Sequence, residues 1–293
     1  MDVFAFLLAP FVASLILTGI HAYLGVHVVE RGVIFVDLSL AQIAALGTTI
    51  AALSGIEPHS ETSYFFSLAF TFIGAAIFSM IRGHQARIPQ EAVIGICYAV
   101  ASAAAILAMS KSVQETEHLK EMLVGNILTV SWFEVKKTAA LYGAIGLFHY
   151  IFRRKFLLIS LDPEAAEARG ISTRFWDFLF YASFGFVVTS SVAIAGVLLV
   201  FCYLIVPSVG AMLYADKIGP RLAIGWTMGT LVSALGVYLS LKIDLPTGAT
   251  IVCTFALVLI AMALIKLLLG HRMAARAMAP APSAHDYSPA PRH

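Results

Sequence analysis

The chain has 293 residues, 60% of them hydrophobic and only 12% charged, with a mean hydropathy of +0.88. Soluble domains carry about 25% charged residues, so this composition excludes an ordinary soluble enzyme or binding domain. The formal net charge of +2 is too small to draw the chain to nucleic acid.

Apolar runs of near-membrane length recur from Phe4 to Leu269, and a helical span needs about 20 such residues. The alternating short strands of an outer-membrane barrel are absent. The expected fold class is therefore an all-α polytopic membrane protein with about nine transmembrane helices. They are predicted at roughly 3–24, 33–54, 63–82, 91–110, 132–152, 176–191, 193–214, 221–241 and 248–269. The first has no basic leader or small-residue cleavage site and reads as a retained span. Between the sixth and seventh, Ser190-Ser191 is the expected break. Cys97, Cys202 and Cys253 lie inside apolar segments without C-x-x-C spacing and read as small buried hydrophobes.

Basic residues sort the connections into two sets. Arg31, Arg82, Arg87, Arg153-Arg154-Lys155, Lys217, Arg221, Lys266, Arg272 and Arg276 fall on one side. Glu57, His59, Glu61, then Glu115, Glu117 and Glu121 with only two lysines, then Lys242 and Asp244, fall on the other. Because Lys and Arg mark the cytoplasmic side, the N-terminus is expected outside and the C-terminus in the cytoplasm. Residues 1–270 make up the transmembrane domain, and the Ala- and Pro-rich residues 271–293 are expected to be a disordered cytoplasmic tail.

One cytoplasmic stretch, "LDPEAAEARGIS" (161–172), carries the signals of a helix too short to span. Asp162 is a good N-cap, Pro163 suits the first helical position, and Glu164 complements the positive helix start. Arg169 complements the other end and Gly170 can close the helix in a left-handed conformation. The small Ala165, Ala166 and Ala168, with Glu167 between, offer a surface for close docking or simply lie on the membrane face.

Several chemistries are missing from the sequence. No P-loop occurs, and neither H-E-x-x-H nor G-x-S-x-G is present. The middles of the spans are almost free of charge, unlike the usual proton- or sodium-driven carrier. A pathway driven by a partner motor fits better than a stand-alone secondary transporter.

The stretches "LGVHVVERGVIFVDLSLAQIAALG", "EAVIGICYAVASAAAILAMS", "LKEMLVGNILTVSWFEV", "LDPEAAEARGIS", "AGVLLVFCYLIVPSVGAML" and "DLPTGATIV" resemble, in the same order, the membrane permeases of ABC importers for zinc, manganese and iron. The resemblance implies a fold similar to the vitamin-B12-type importer permeases. It also implies a non-enzymatic subunit of the bacterial inner membrane, in a complex with two copies of an ABC ATPase that binds ATP. A second permease copy, expected to form a homodimer, and an extracytoplasmic solute-binding protein complete it. Asp162–Gly170 would be the coupling helix that sits on the ATPase. No stably bound cofactor is implied; the cargo is a divalent metal ion, zinc or manganese, or alternatively a metal chelate or other small substrate.

The resemblance departs where it matters for the cargo. The family's second helix typically reads F-x-G-D-A-x-S-H-A-x-x-P-G. Laid from Phe35 to Gly47, its Asp falls on Leu38 and its His on Gln42, while the chain's own acid is one position earlier, at Asp37. One residue is about 100° around a helix, so Asp37 points away from the face of Leu38 and Gln42. Ser39 and Gln42 are neighbours at i and i+3. Asp37, Ser39 and Gln42 are the translocation-path candidates, with Asp37 and Gln42 as metal-contacting candidates. Asp37 reads either as a cytoplasmic-gate carboxylate or as an ion-pair partner of Arg31. Glu91 reads as a helix-start carboxylate, and His21 and His27 as interfacial histidines at the end of the first span.

Overall fold

The computed structural model describes residues 3–57, 60–81, 88–110, 125 and 127–277, with side chains described between residues 7 and 269. Eleven helices form this part of the chain: α1 (Val3–Glu30), α2 (Val36–Leu53), α3 (Glu61–Ile81), α4 (Gln90–Met109), α5 (Trp132–Ile151), α6 (Arg153–Leu161), α7 (Pro163–Ala168), α8 (Thr173–Ala195), α9 (Val197–Met212), α10 (Ile218–Ile243) and α11 (Thr247–Ala277). Among the described residues no strand occurs. Each of the nine predicted spans corresponds to one helix. Seven of these are long and apolar enough to cross a membrane; α5 and the 16-residue α9 fall short of that standard. The last helix is recorded through Ala277, and residues 278–293 lie outside the described residues, as do His59, Glu115, Glu117 and Glu121.

The break expected at Ser190-Ser191 is not there. α8 runs on to Ala195, and the chain turns at Gly196, whose φ of +76° favours glycine. The two serines lie within the helix, where their hydroxyls donate back to carbonyls of the preceding turn, Ser190 to Phe186 and Ser191 to Val187, and so leave no polar group to break it. Of the cysteines, Cys97 and Cys202 are half-buried and Cys253 is exposed on the apolar surface of α11, so the expectation that all three are buried does not hold.

The helices gather into two groups. In one, α1 packs on α9 and α10, with α11 behind them; in the other, α2 packs on α3 and α4, and α3 on α8. The groups meet where α2 and α8 reach α9, and where α5 and α6 bridge α1 to α8. Small residues let these helices approach closely, as interfaces in lipid require. A Cβ on Gly25 of α1 would land on the carbonyl oxygen of Leu204 in α9, and one on Gly229 of α10 would land on Thr18. Gly25→Val must push α9 away from α1, an overpacking that costs about 3 kcal/mol. The expected result is a marked loss of monodisperse protein in detergent and a lower Tm for what is recovered, whereas Gly19→Ala, with nothing within 4 Å, should be silent.

α1 has 28 residues and is thus about 42 Å long, against a hydrocarbon layer of about 30 Å. Its last turns extend beyond the expected end of the span and are covered by α6 and α8. His21 and His27 are therefore fully enclosed rather than interfacial.

Candidate functional site

α2 lies between α3, α4, α8 and α9 and is buried around most of its circumference. Its polar residues are enclosed with it: Asp37 is 1% exposed, Ser39 0% and Gln42 6%. Neither carboxylate oxygen of Asp37, nor the Ser39 hydroxyl, meets a hydrogen-bond partner among the described residues. Such an enclosed, partnerless carboxyl group is costly in a protein interior, and more so in a membrane. α2 reaches α9, so the helix that carries Asp37 borders the seam between the two helix groups.

The three candidates do not form one constellation. Asp37 and Ser39 are about 200° apart around α2, and among the described residues no three His, Cys, Asp or Glu side chains converge. Ser39 and Gln42 share a side of the helix and Asp37 stands apart from them.

Asp37 is not the partner of Arg31. The left-handed Gly32, with φ +67°, ends α1, and the Arg31 guanidinium turns to α8, where Nη1 donates to Asp177 Oδ1 at 2.7 Å. Glu91 does act on a helix start, and on more than its own. Besides standing in the first turn of α4, its Oε1 accepts the Phe35 amide at 3.0 Å at the head of α2.

A second polar cluster, which sequence reasoning did not assemble, fills the seam between α1, α5, α6 and α8. Arg31 Nε donates to Ser160 Oγ at 2.8 Å, and His27 Nδ1 lies 2.8 Å from the same oxygen. The guanidinium carbon rests 3.9 Å from the centre of the Phe180 ring. One turn back on α1, the Tyr23 hydroxyl lies 3.4 Å from His149 Nδ1, and His149 Nε2 lies 2.8 Å from Ser183 Oγ. His21 reaches Ser191, and Tyr142 donates to the Val187 carbonyl. The available signal was the rarity of ionisable side chains in apolar helices: Arg31, His149 and Asp177 needed partners from other helices.

α7 follows α6, the helix that opens with the Arg153-Arg154-Lys155 run. The Asp162 Oδ1 accepts the Ala165 amide at 2.9 Å, Pro163 takes the first helical position, and the Ile171 amide returns to the Ala166 carbonyl at 3.1 Å across Gly170, whose φ is +71°. Ala166 is buried against the body, while Glu164, Glu167, Ala168, Arg169 and Gly170 are exposed.

The model of the ABC 3 transport family matches residues 3–266. The chain belongs to the ABC 3 transport family. A manganese transport system membrane protein, MntC, of Listeria innocua is 26% identical over 250 residues, covering 85% of this chain and 86% of the relative. A chelated iron transport system membrane protein, YfeD, of Yersinia pestis is 23% identical over 257 residues, covering 87% and 83%. Among solved structures, PsaBC from Streptococcus pneumoniae, in complex with a Fab, superposes with a TM-score of 0.74 at 23% identity over 89% of this chain and 92% of that one. At that identity the likeness establishes the fold: this ABC 3 chain shares the helical architecture of that structure.

Proposed function

We propose that this chain is the membrane permease of an ABC importer that carries a divalent metal ion inward across a bacterial inner membrane, with the N-terminus outside and the C-terminus in the cytoplasm. Residues 1–270 form the transmembrane domain. The chain itself hydrolyses nothing; two copies of a separate ATPase bind ATP, an extracytoplasmic binding protein delivers the ion, and a second copy of this chain completes the path. The helix α7, from Asp162 to Gly170, rests on the ATPase.

The observation that carries this reading is Asp37, a buried carboxyl group with no protein partner on the most enclosed helix of a family whose named relatives handle manganese and iron. A single carboxylate, with a serine hydroxyl and a glutamine carbonyl elsewhere on α2, is an oxygen set. Oxygen donors suit manganese, whereas zinc sites draw on imidazole and thiolate. With only one anionic ligand the ion keeps part of its hydration and passes without lodging. Manganese is therefore the cargo these residues fit best.

Uptake of labelled manganese, zinc and iron(II) into proteoliposomes holding the complete complex tests the reading. ATP-dependent manganese uptake is expected, and a Gln42→His variant, which restores imidazole to that side of α2, should shift selectivity toward zinc about tenfold. Uphill uptake by this chain alone, without an ATPase, would overturn the importer reading. Unchanged selectivity and flux in Gln42→His would remove Gln42 from the path.

A further inference from the structure

α7 stands on two stems. On one side it follows Ser160 at the end of α6, two residues before the Asp162 cap; on the other it leads into α8, where Asp177 is the fifth residue. Both stems are fastened to one side chain. Arg31, at the end of α1, donates through Nε to Ser160 Oγ at 2.8 Å and through Nη1 to Asp177 Oδ1 at 2.7 Å, and its guanidinium lies on the Phe180 ring one turn farther along α8. Arg31 and Asp177 side chains are 0% exposed. His27, one turn earlier on α1, holds the same serine.

The placement is mechanical. α1 belongs to one helix group and α8 to the other, and few other contacts join them. Arg31 therefore crosses the seam beside the two stems of α7, and α2, the helix that carries Asp37, borders the same seam. A guanidinium presents its donors in a rigid fork, so one group can hold a hydroxyl and a carboxylate in fixed relation; an ammonium is a point charge and cannot. The positive charge of Arg31, just past the end of α1, complements that helix's dipole.

We propose that Arg31 is a positioning residue for energy coupling: it ties both stems of α7 to α1, so that a displacement of α7 reaches α1 and opens or closes the seam. This rests on the reading of α7 as the ATPase-docking helix. The prediction concerns coupling, not folding. Replacing a buried ion pair by apolar residues of similar volume is often neutral for stability, so Arg31→Met with Asp177→Leu should keep the fold while releasing the tie. Arg31→Lys keeps the charge but can reach only one of the two partners.

The test uses the complete complex in proteoliposomes, with manganese and the binding protein. For both Arg31→Lys and the Arg31→Met/Asp177→Leu double variant, the expected result is normal assembly and basal ATP hydrolysis. Stimulation by loaded binding protein, and uptake per ATP hydrolysed, should each fall about tenfold, a typical coupling energy between sites. Spin labels at Glu167 on α7 and Leu8 on α1 add a readout that a merely structural role would not move. In the wild type their separation should hold between the nucleotide-free and vanadate-trapped states, because the two move as one body; in the variants it should change. Wild-type coupling in the double variant overturns the proposal, and so does its failure to assemble, which would mark the tie as structural. Glu164→Trp on α7 separates the two claims. If it uncouples and the Arg31 variants do not, only the tie fails; if it leaves coupling intact, the docking reading of α7 fails first.

Discussion

Asp37→Leu should make this chain more stable and nearly useless for transport. The carboxyl group is enclosed among apolar neighbours on α2, and neither oxygen meets a partner among the described residues. Leaving a buried polar group unsatisfied costs about 1–3 kcal/mol, and leucine occupies a similar volume without that penalty. For a chain of this size each kcal/mol corresponds to a rise in Tm of about 2–4 °C, so a shift of several degrees is expected in a detergent melt. Manganese uptake should fall about a hundredfold, because the only anionic oxygen on α2 is gone and disturbing even the residues that support a metal ligand typically costs 10–100-fold. Stability and activity moving in opposite directions is what a functional group retained against the interest of folding predicts. A Tm that drops would mean that Asp37 has a structural partner, and wild-type uptake would take it off the path.

The same residue shows how far the sequence could be read. Nine apolar segments are each a helix, because the period and length of the runs leave little else for a membrane chain to do. The caps of α7 were legible too: Asp162, Pro163 and Gly170 act on their own backbone, within a few residues, where sequence and space coincide. What failed was the side-chain pairing of Arg31 and the placing of one helix end. Arg31 and Asp37 are six residues apart and looked like a pair, yet Gly32 turns the chain between them and α8 brings Asp177 to Arg31 from 146 positions away. Ser190-Ser191 looked like a break because serine competes with helix ends, yet each hydroxyl found a carbonyl within the preceding turn. The rotation of Asp37 off the face of Gln42 was correct as helix geometry and less decisive than it seemed, since α2 is enclosed on most sides and has no single inner face. Tertiary neighbours, not period, decide which polar groups on such a helix are left without partners.

The second large effect belongs to α7, and its geometry makes a contrast within four residues. Ala166 is buried against the molecule, while Ala168 and Glu164 are exposed on the helix between the Asp162 and Gly170 caps. Ala168→Trp adds a large side chain at a position that is exposed among the described residues. The fold should tolerate it, with a change in Tm within the range of ordinary surface substitutions, about 0.5 kcal/mol. If α7 seats in a groove of an ATPase, the same indole must wedge the two proteins apart at a surface that has to meet closely. ATP-driven manganese uptake should then fall about a hundredfold, the ATPase should dissociate more readily in detergent, and basal folding of the permease should be untouched. Ala166→Trp should do the reverse in order of events: it forces apart α7 and its own support, so folded protein is lost before any partner is involved. Measuring co-purified ATPase per folded permease for the two variants distinguishes the cases. An Ala168→Trp complex that assembles and transports like the wild type would show that α7 faces lipid or water rather than a motor.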